Sequence, residues 1–157
     1  MKIRHALKSD IRSLADLLLA VHEMHLNAQP KIYRKISHES AVESLLPRLG
    51  TDTYLRVAEF ETEILGYCSA RIQSSPTNPI LEPRRFIYVD ELIVRPQSRK
   101  GGVGRALMDD LKTFARQEEI SNVELDVGRF NAEAKAFFQA QGFQVLRERM
   151  GAVVGKC

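Results

Sequence analysis

The sequence has few cysteines and no long apolar run, and both absences restrict the kind of protein it can encode. Cys68 and Cys157 are the two cysteines among 157 residues, too few for a disulfide framework. Cys68 falls in an apolar stretch and is predicted to be a small buried hydrophobe, and the terminal Cys157 a free thiol. No segment reaches membrane-spanning length, and no secretory leader is recognisable. We therefore expect a cytoplasmic protein without a membrane partner.

A strong charge of one sign is also absent. Lysine and arginine exceed aspartate and glutamate by 23 − 20 = 3, and no dense basic tract is present that would bind a nucleic-acid backbone. We therefore expect no nucleic-acid partner. The one local cationic cluster consists of Arg95, Arg99, Lys100 and Arg105. Without an internal repeat, low-complexity tract or linker, residues 1–157 are predicted to form one domain.

Two helices are predicted in the first third of the chain. Apolar residues recur at helical spacing after Ser9 and Asp10, which are good N-caps, and Pro30 ends this stretch. A second helix is predicted to start at Ser37 and run toward Gly50. A strand-like pattern precedes the two helices over residues 2–6, and others follow them over 53–60, 64–73, 123–127 and 143–154. An irregular loop is predicted over 74–83, which contains three prolines.

The most informative stretch runs from Ile87 to Met108. It begins as an apolar strand that Pro96 ends, because proline cannot donate to a sheet ladder. Glycines in the next turn let several backbone N–H groups converge at a helix N-terminus, which favours an anion such as a phosphate. The turn is Arg99-Lys100-Gly101-Gly102-Val103-Gly104, and the helix after it is predicted to bury Val103, Leu107, Leu111, Phe114 and Ala115.

Two common phosphate-binding motifs do not match this turn. A nucleotide P-loop requires Gly-Lys followed by Ser or Thr, but Gly104 precedes Arg105. A dinucleotide fingerprint requires a small residue where this chain has Leu107. The pattern that matches is Arg-x-x-Gly-x-Gly, formed by Arg99, Gly102 and Gly104. This turn resembles the acetyl-coenzyme-A-binding segment of the GNAT superfamily of N-acetyltransferases.

A second block supports the resemblance. Asn131 opens a predicted helix that contains Phe138 and closes with Gly142-Phe143, similar to the second signature of the family. The resemblance implies an α/β fold with a central mixed, mostly antiparallel, twisted sheet of about six to seven strands flanked by about four helices. Two splayed strands would form the acetyl-CoA cleft. Homodimers are frequent in the family.

The resemblance also implies which residues bind acetyl-CoA, the expected cosubstrate. In the family, backbone amides of the turn hold the pyrophosphate. The backbone of the preceding strand pairs with the pantetheine arm and polarises the thioester carbonyl. The corresponding residues here are Leu92, Ile93, Val94, Arg99, Lys100, Gly101, Gly102, Val103, Gly104, Arg105, Asn131 and Phe138.

Acetyl transfer to an amine requires a group that removes a proton from it, because an amine with a pKa of about 10.4 is almost wholly protonated at neutral pH. Asp90 and Glu91 stand in the strand before the turn, where the family often places such a carboxylate. Strand alternation puts the two on opposite faces unless the strand bulges. We expect Asp90 to be the base, with Glu91 as the second candidate.

Phe138 departs from the family pattern, in which a tyrosine at this position commonly protonates the leaving thiolate. A phenyl ring cannot donate a proton, so this role would pass to another group. The candidates are Tyr33, Tyr54, Tyr67, Tyr88 and water. A thiol with a pKa of about 8.5 is a tolerable leaving group, so losing the acid should slow the reaction rather than abolish it.

No metal site is expected. His22 and His25 are three residues apart, whereas the zinc-protease helix needs histidines four apart, and no third ligand is obvious. A polar helix face near the acceptor site is the favoured interpretation. Tyr33, Arg34 and His38 follow this helix in the sequence and are given no role in binding the acceptor.

The sequence thus predicts an N-acetyltransferase that moves an acetyl group from acetyl-CoA directly to a primary amine. The acceptor stays open between a small amine, an antibiotic, and the N-terminus or a lysine of a protein. The alternative is a non-catalytic CoA-binding sensor or interaction module. Phe138 and the short stretch of 157 − 143 = 14 residues after Phe143 support that alternative.

Overall fold

The computed structural model describes residues 1–50, 53–152 and 154–155, so the thiol predicted at Cys157 lies outside the described residues. The chain divides into two compact units, Met1–Asp126 and Val127–Cys157. The first unit contains strands β1 (Lys2–His5), β2 (Thr53–Phe60), β3 (Glu63–Ser74), β4 (Arg85–Val94) and β5 (Val123–Leu125), and helices α1 (Ile11–Ala28), α2 (His38–Leu45) and α3 (Val103–Gln117). The second unit contains helix α4 (Ala132–Ala140).

The strands form one mixed sheet in the order β1-β2-β3-β4-β5. The first four strands pair antiparallel, and β5 runs parallel to β4. The predicted α/β fold, with a mostly antiparallel central sheet and about four helices, is confirmed. Over the described ranges the sheet has five strands, fewer than the six to seven predicted.

The missing strand is the one predicted over 143–154. Its described residues form neither helix nor strand, and Val153 lies outside the description. A strand is stabilised by packing one face against neighbouring strands. This segment instead carries three adjacent charged residues, Arg147-Glu148-Arg149, so an alternating apolar face is interrupted. Its large apolar side chains are accordingly exposed: Val145 by 59%, Leu146 by 71% and Met150 by 93%.

Helices α1 and α2 pack on one face of the sheet, which we call the α1/α2 face. Buried residues of both helices form one apolar cluster with the sheet residues Leu55, Val57, Ile64, Tyr67 and Ile93. The contribution of α1 is Ile11, Leu14, Ala15 and Leu17, and that of α2 is Ala41 and Leu45. The cluster fixes α1 over the end of β4 that leads into the glycine-rich turn.

Helix α3 packs on the opposite face. Tyr54 of β2 places its ring 5.1 Å from that of Phe114 and donates a hydrogen bond to Asp110 at 2.7 Å. Cys68 is fully buried, as predicted. Of the residues predicted to be buried on α3, all are buried except Phe114, which is half-buried. The sheet is therefore covered by helices on both faces.

The starts and ends of the first two helices follow from local chemistry. Helix α1 ends at Ala28, before Pro30, as predicted. Asp10 does not cap α1 with its side chain, because its carboxylate accepts from the Leu7 N–H at 2.7 Å and pairs with Arg4 at 2.7 Å. It closes the preceding turn instead. Ser37 caps α2, with its hydroxyl accepting from the Ser40 N–H at 3.1 Å. No helix within the described ranges combines the length and apolar character needed to cross a bilayer.

Candidate active site

A β-bulge interrupts strand β4 at Asp90. The register with β3 changes from Ala70 opposite Val89 to Ser69 opposite Glu91, so Asp90 is an extra residue in β4. Bulges re-aim side chains and are frequent next to active sites. The bulge that Asp90 and Glu91 need in order to share one face of the sheet is therefore present.

The bulge brings both carboxylates to the α1/α2 face. Ser69 and Arg71 lie two residues apart on β3 and share a face, and their partners are Glu91 and Tyr88. Asp90 also contacts Arg71 on that face. Regular alternation would have placed one of the two carboxylates against α3.

Asp90 is partly buried beside a guanidinium group. Arg71 forms an ion pair with the Asp90 carboxylate, and its Cζ lies 5.1 Å from the centre of the Tyr88 ring. Burial raises the pKa of Asp90 above its usual 3.8, and Arg71 and Arg48 oppose this shift. A carboxylate with a raised pKa is a better proton acceptor than an ordinary one.

Glu91 belongs to a more enclosed network. Its Oε2 accepts a hydrogen bond from the Tyr67 hydroxyl at 2.8 Å and lies 2.8 Å from Arg48 Nη1. Arg48 also donates to the Ser69 hydroxyl at 3.2 Å. Burial, followed by the charge of Glu91, raises the pKa of the fully buried Tyr67. Glu91 is thus held between two side chains, whereas the Arg71 partner of Asp90 is half-exposed.

Strand β4 has one open edge beyond the bulge. The described ladder with β5 runs from Ile87–Val123 to Val89–Leu125, while β4 continues to Val94. β5 therefore ends before the predicted residue 127. Because the Arg95 N–H donates to the Leu65 carbonyl of β3 at 2.8 Å, alternation directs the N–H groups of Leu92 and Val94 away from β3.

The open edge leads into the glycine-rich turn. Pro96–Ser98 form a single 3₁₀ turn, after which Lys100 and Gly102 adopt positive φ angles of 61° and 83°. Helix α3 begins at Val103, and its first backbone bond runs from the Ala106 N–H to the Gly102 carbonyl at 2.9 Å.

The N–H groups at the start of α3 form an anion-binding geometry. Those of Val103, Gly104 and Arg105 precede the first bond within the helix and point out of its N-terminus. A Cβ on Gly102 would meet nothing within 4 Å, so the space in front of these donors is open. The Val103 side chain is buried and contributes to this site through its backbone. The turn therefore fits a phosphate group.

Helix α1 borders the turn. A cavity of about 250 Å³ is lined by Ser13, Asp16, Leu17, Arg95 and Gln97. A smaller one of about 50 Å³ is lined by Leu17, Ala20, Val21, Met24, Ile93, Val94, Pro96 and Arg99. Leu17 lines both, so a groove follows α1 beside the end of β4.

Tyr88 lies where β4 and β5 begin to separate. It pairs with Glu124 of β5, one position before the last pair of the ladder. Its hydroxyl donates to Asp126 Oδ2 at 2.8 Å. Burial, followed by the hydrogen bond to Asp126, raises the pKa of Tyr88 to about 12.

Sequence reasoning missed three partners of these residues, namely Arg48, Arg71 and Asp126. Arg71 meets Asp90 only because the bulge sets the register of β3 against β4. One signal was available: Ser69 and Arg71 are polar residues at alternate positions of β3, directly after its apolar stretch 64–68.

The histidines of α1 contact neighbouring groups of the chain. His22 Nε2 lies 2.7 Å from the Arg34 carbonyl oxygen, and the Tyr33 ring contacts His22 and His25 with centroids 5.9 and 5.3 Å away. His38 lies 3.2 Å from Asp16. Over the described ranges, no three residues of the types His, Cys, Asp and Glu are grouped as a metal ion would require.

The second unit holds the two remaining residues predicted to bind the coenzyme. Asn131 caps α4, with its side-chain oxygen accepting from the Ala134 N–H at 3.1 Å. Phe138 packs edge-on against Phe137 and Phe143, with ring centroids 5.2 and 5.5 Å away. The predicted start of the Asn131 helix is therefore correct.

Relatives in sequence are N-acetyltransferases. The profile of the Acetyltransferase (GNAT) family matches residues 18–143. Human N-acetyltransferase 8 is 33% identical over 88 residues, which make up 56% of this chain and only 37% of that protein. An uncharacterized N-acetyltransferase of Archaeoglobus fulgidus is 30% identical over 144 residues, 90% of this chain and 91% of that protein.

Solved structures show the same fold. A mutant of the BH1408 protein from Bacillus halodurans superposes with a TM-score of 0.88 at 26% identity, covering 98% of this chain and 99% of that one. An aminoglycoside antibiotic 6′-N-acetyltransferase from Acinetobacter haemolyticus gives a TM-score of 0.72 at 18% identity, covering 100% and 99%. The resemblance carried by the turn and by the Asn131 block is thus confirmed, and the chain belongs to the GNAT family of acetyltransferases.

Proposed function

We propose that this protein transfers the acetyl group of acetyl-CoA directly to a primary amine while both substrates are bound. The observation that carries the proposal is the open edge of β4, which runs from Asp90 and Glu91 into the glycine-rich turn. A phosphate at the turn and an acyl group beside the carboxylates would lie along one strand. Among the described residues the one cysteine, Cys68, is fully buried and cannot act as an acyl carrier, which supports direct transfer.

The turn and the open edge would bind acetyl-CoA largely through the backbone. N–H groups from Gly101 to Arg105 would hold the pyrophosphate, with charge from Arg99, Lys100 and Arg105. The N–H groups of Leu92 and Val94 would pair with the pantetheine arm and the thioester carbonyl. Such a preorganised donor is worth roughly 3 kcal/mol of transition-state stabilisation. Ile93 supports the edge from the core, and the roles of Asn131 and Phe138 stay predictions.

Asp90 is our candidate for the general base, and Glu91 is the second. The bulge aims both at the α1/α2 face, but Glu91 is fixed by Tyr67 and Arg48. Asp90 has a raised pKa and a half-exposed partner in Arg71. It can therefore accept a proton from an amine with less rearrangement of its surroundings.

Several broader features belong to the same proposal. The two units would form a single N-acetyltransferase domain, and the protein would act in the cytoplasm as a homodimer. Its partners would be acetyl-CoA and the amine, without a nucleic acid, a membrane or a metal. The acceptor stays open between a small amine, an antibiotic, and the N-terminus or a lysine of a protein.

An amine panel tests the proposal. The protein is incubated with acetyl-CoA and one of four probes: spermidine, kanamycin, a lysine-free peptide with a free N-terminus, and an N-terminally blocked peptide with one lysine. Thiol release is followed, and the acetylated nitrogen is identified by mass spectrometry. We expect release above the hydrolysis blank with at least one probe.

Calorimetry with acetyl-CoA separates the two remaining interpretations. Tight binding without release for any probe would favour the non-catalytic sensor or interaction module. The absence of any heat of binding would contradict the assignment of the turn.

A further inference from the structure

The leaving thiolate needs a proton, and Phe138 cannot provide one. We propose that Tyr88 donates this proton, at the point where β4 and β5 separate. The inference rests on the proposed acetyl transfer and adds a catalytic residue to it.

The surroundings of the other described tyrosines argue against this role. Tyr54 lies on the α3 face, is 2% exposed and donates to Asp110. Tyr67 is 0% exposed and donates to Glu91 within the buried network. Tyr33 contacts the histidine rings near the end of α1. Tyr88 is the half-buried tyrosine beside the bulge.

Tyr88 is positioned at the start of the open edge. Its strand partner Glu124 precedes the last β4–β5 pair, and its hydroxyl reaches Asp126, the residue immediately after β5. The hydrogen bond therefore spans the two strands where their ladder ends. The same ring contacts Arg71, which also pairs with Asp90. Acid, base and open edge are thus adjacent on the α1/α2 face.

The charges around Tyr88 suit a proton donor. Burial and the hydrogen bond to Asp126 keep the phenol protonated before the reaction, in line with its raised pKa. The Arg71 guanidinium over the ring stabilises the phenolate that forms when the proton leaves. Arg71 also contacts Asp90, so one cation faces both groups whose charges change.

The proton balance closes with these two residues. The ammonium group first loses one proton through Asp90 to water. The neutral nitrogen then forms a bond to the acetyl carbon, its surplus proton passes to Asp90, and the carbon–sulfur bond breaks. The Tyr88 hydroxyl proton passes to the sulfur, giving a neutral thiol. Asp90 then releases its proton to water at the open edge, and the Tyr88 phenolate takes one up. The net products are the amide and free coenzyme A.

The first test is Tyr88→Phe, assayed with whichever probe of the amine panel the wild-type protein acetylates fastest. We expect kcat to fall about 10²-fold, because general-acid catalysis contributes on this order. The KM values and the calorimetric affinity for acetyl-CoA should stay within about twofold, since the ring and its contact with Arg71 remain.

Tyr54→Phe is the matched control. It makes the same chemical change and removes a tyrosine–aspartate hydrogen bond of similar length, 2.7 Å against 2.8 Å, on the opposite face. We expect it to lower thermal stability while kcat changes less than about threefold, far below the fall expected of a lost acid.

A fluorinated tyrosine at position 88 separates proton donation from positioning. Fluorination makes the phenol more acidic but preserves its hydrogen bond to Asp126. A deprotonated phenol cannot donate, so kcat should decline with rising pH in a range where the wild type is still active.

The outcomes distinguish this inference from the proposed function. A Tyr88→Phe protein with kcat within threefold of wild type, or a fluorinated protein with a wild-type pH profile, overturns the role of Tyr88 and leaves acetyl transfer intact. A loss confined to acetyl-CoA affinity also overturns it. A wild-type protein that releases no coenzyme A with any probe overturns both.

Discussion

The two halves of strand β4 have the same pairing with β3 but different surroundings on the other edge. From Arg85 to Val89 the strand lies between β3 and β5, and Phe86, Ile87 and Val89 are buried. From Asp90 to Val94 it keeps β3, while its ladder with β5 has ended. The first half resembles an ordinary core strand, and the second offers backbone donors next to two carboxylates.

The comparison shows how a buried strand can also present backbone donors and carboxylates along one half. Regular pairing with β3 from Glu91 to Val94 holds the open half in place, so its N–H groups are preorganised without help from β5. The bulge at Asp90 lies at the boundary of the two halves and changes which side chains face α1 and α2. Substitutions of the buried residues of the first half should therefore affect mainly stability, and substitutions of Asp90 mainly catalysis.

Asp90→Asn should give the largest effect. We expect kcat/KM to fall about 10²-fold or more, because the amine would lose its proton acceptor. The wild-type rate should fall as pH drops through the raised pKa of Asp90, since only the carboxylate accepts a proton. The variant should lack this fall at low pH, which we call the acid limb of the rate profile. Its rate deficit relative to the wild type should shrink as pH rises through the pKa of the amine.

Ile87→Val in the closed half is the control for Asp90→Asn. It should destabilise the protein by about 0.5–1.5 kcal/mol without lowering kcat. A wild-type pH profile in Asp90→Asn would transfer the role of base to Glu91 or to water.

Gly102→Val should have the next largest effect. Gly102 has a φ of 83°, a conformation that costs a β-branched residue about 1–3 kcal/mol, and the side chain would crowd the phosphate site. We expect calorimetric affinity for coenzyme A to fall at least about tenfold, which corresponds to 1.4 kcal/mol.

Gly142→Val provides a matched control for backbone strain. Gly142 has a φ of 91°, and a Cβ there would also meet nothing within 4 Å. The control should lose stability but keep its affinity for coenzyme A. Equal loss of affinity in both variants would mean that strain alone, and not the phosphate site, explains the first result.

Gly66→Ala should affect the scaffold of the open half. A Cβ on Gly66 would lie 2.5 Å from the Ile93 carbonyl oxygen, so β3 and β4 would have to move apart where Gly66 pairs with Val94. We expect a loss of about 1–3 kcal/mol in the free energy of unfolding, measured with denaturant.

Gly50→Ala is the corresponding control, because its Cβ would meet the Pro47 carbonyl oxygen at an ordinary 3.6 Å. It should be neutral or stabilising by up to about 1 kcal/mol. If Gly66→Ala were as stable as this control, the close approach of β3 and β4 at Gly66 would be contradicted.

Arg71→Met should have the smallest effect of these variants, and the effect should be on the pH dependence of the rate. Arg71 opposes the rise in the pKa of Asp90, so removing its charge should move the acid limb of the rate profile to higher pH. Arg105→Met, a change of the same kind at the turn, should leave the limb in place. If the fall of the rate at low pH did not move in Arg71→Met, Asp90 would not be the group that accepts the proton in the rate-determining step.

The parts of the fold that depend on local chemistry could be predicted from the sequence. Pro30 and Ser37 mark where α1 ends and α2 begins, and the glycines of the turn mark the start of α3. The anion site expected at that start stays a prediction. The bulge could not be predicted, because it depends on the register between strands that are distant in sequence. Arg71 and Asp126 were missed for the same reason.

The predicted final strand failed for a different reason. Its apolar residues suggest a strand, but strand formation requires a packed face, and Val145, Leu146 and Met150 have none to fill. Whether a segment finds such a face is a property of the assembled unit. Local pattern alone does not contain that information.

The extra residue at Asp90 also makes β4 one residue longer than its pairing with β3 requires. Deleting it would leave Tyr88 and Val89 opposite Arg71 and Ala70, and Glu91 and Ile93 opposite Ser69 and Tyr67, now in regular alternation. Ile93, which is 4% exposed, would keep its place in the core. The insertion can therefore be lost without reordering the interior, and its removal would alter only the carboxylate pair and the local twist of the strand.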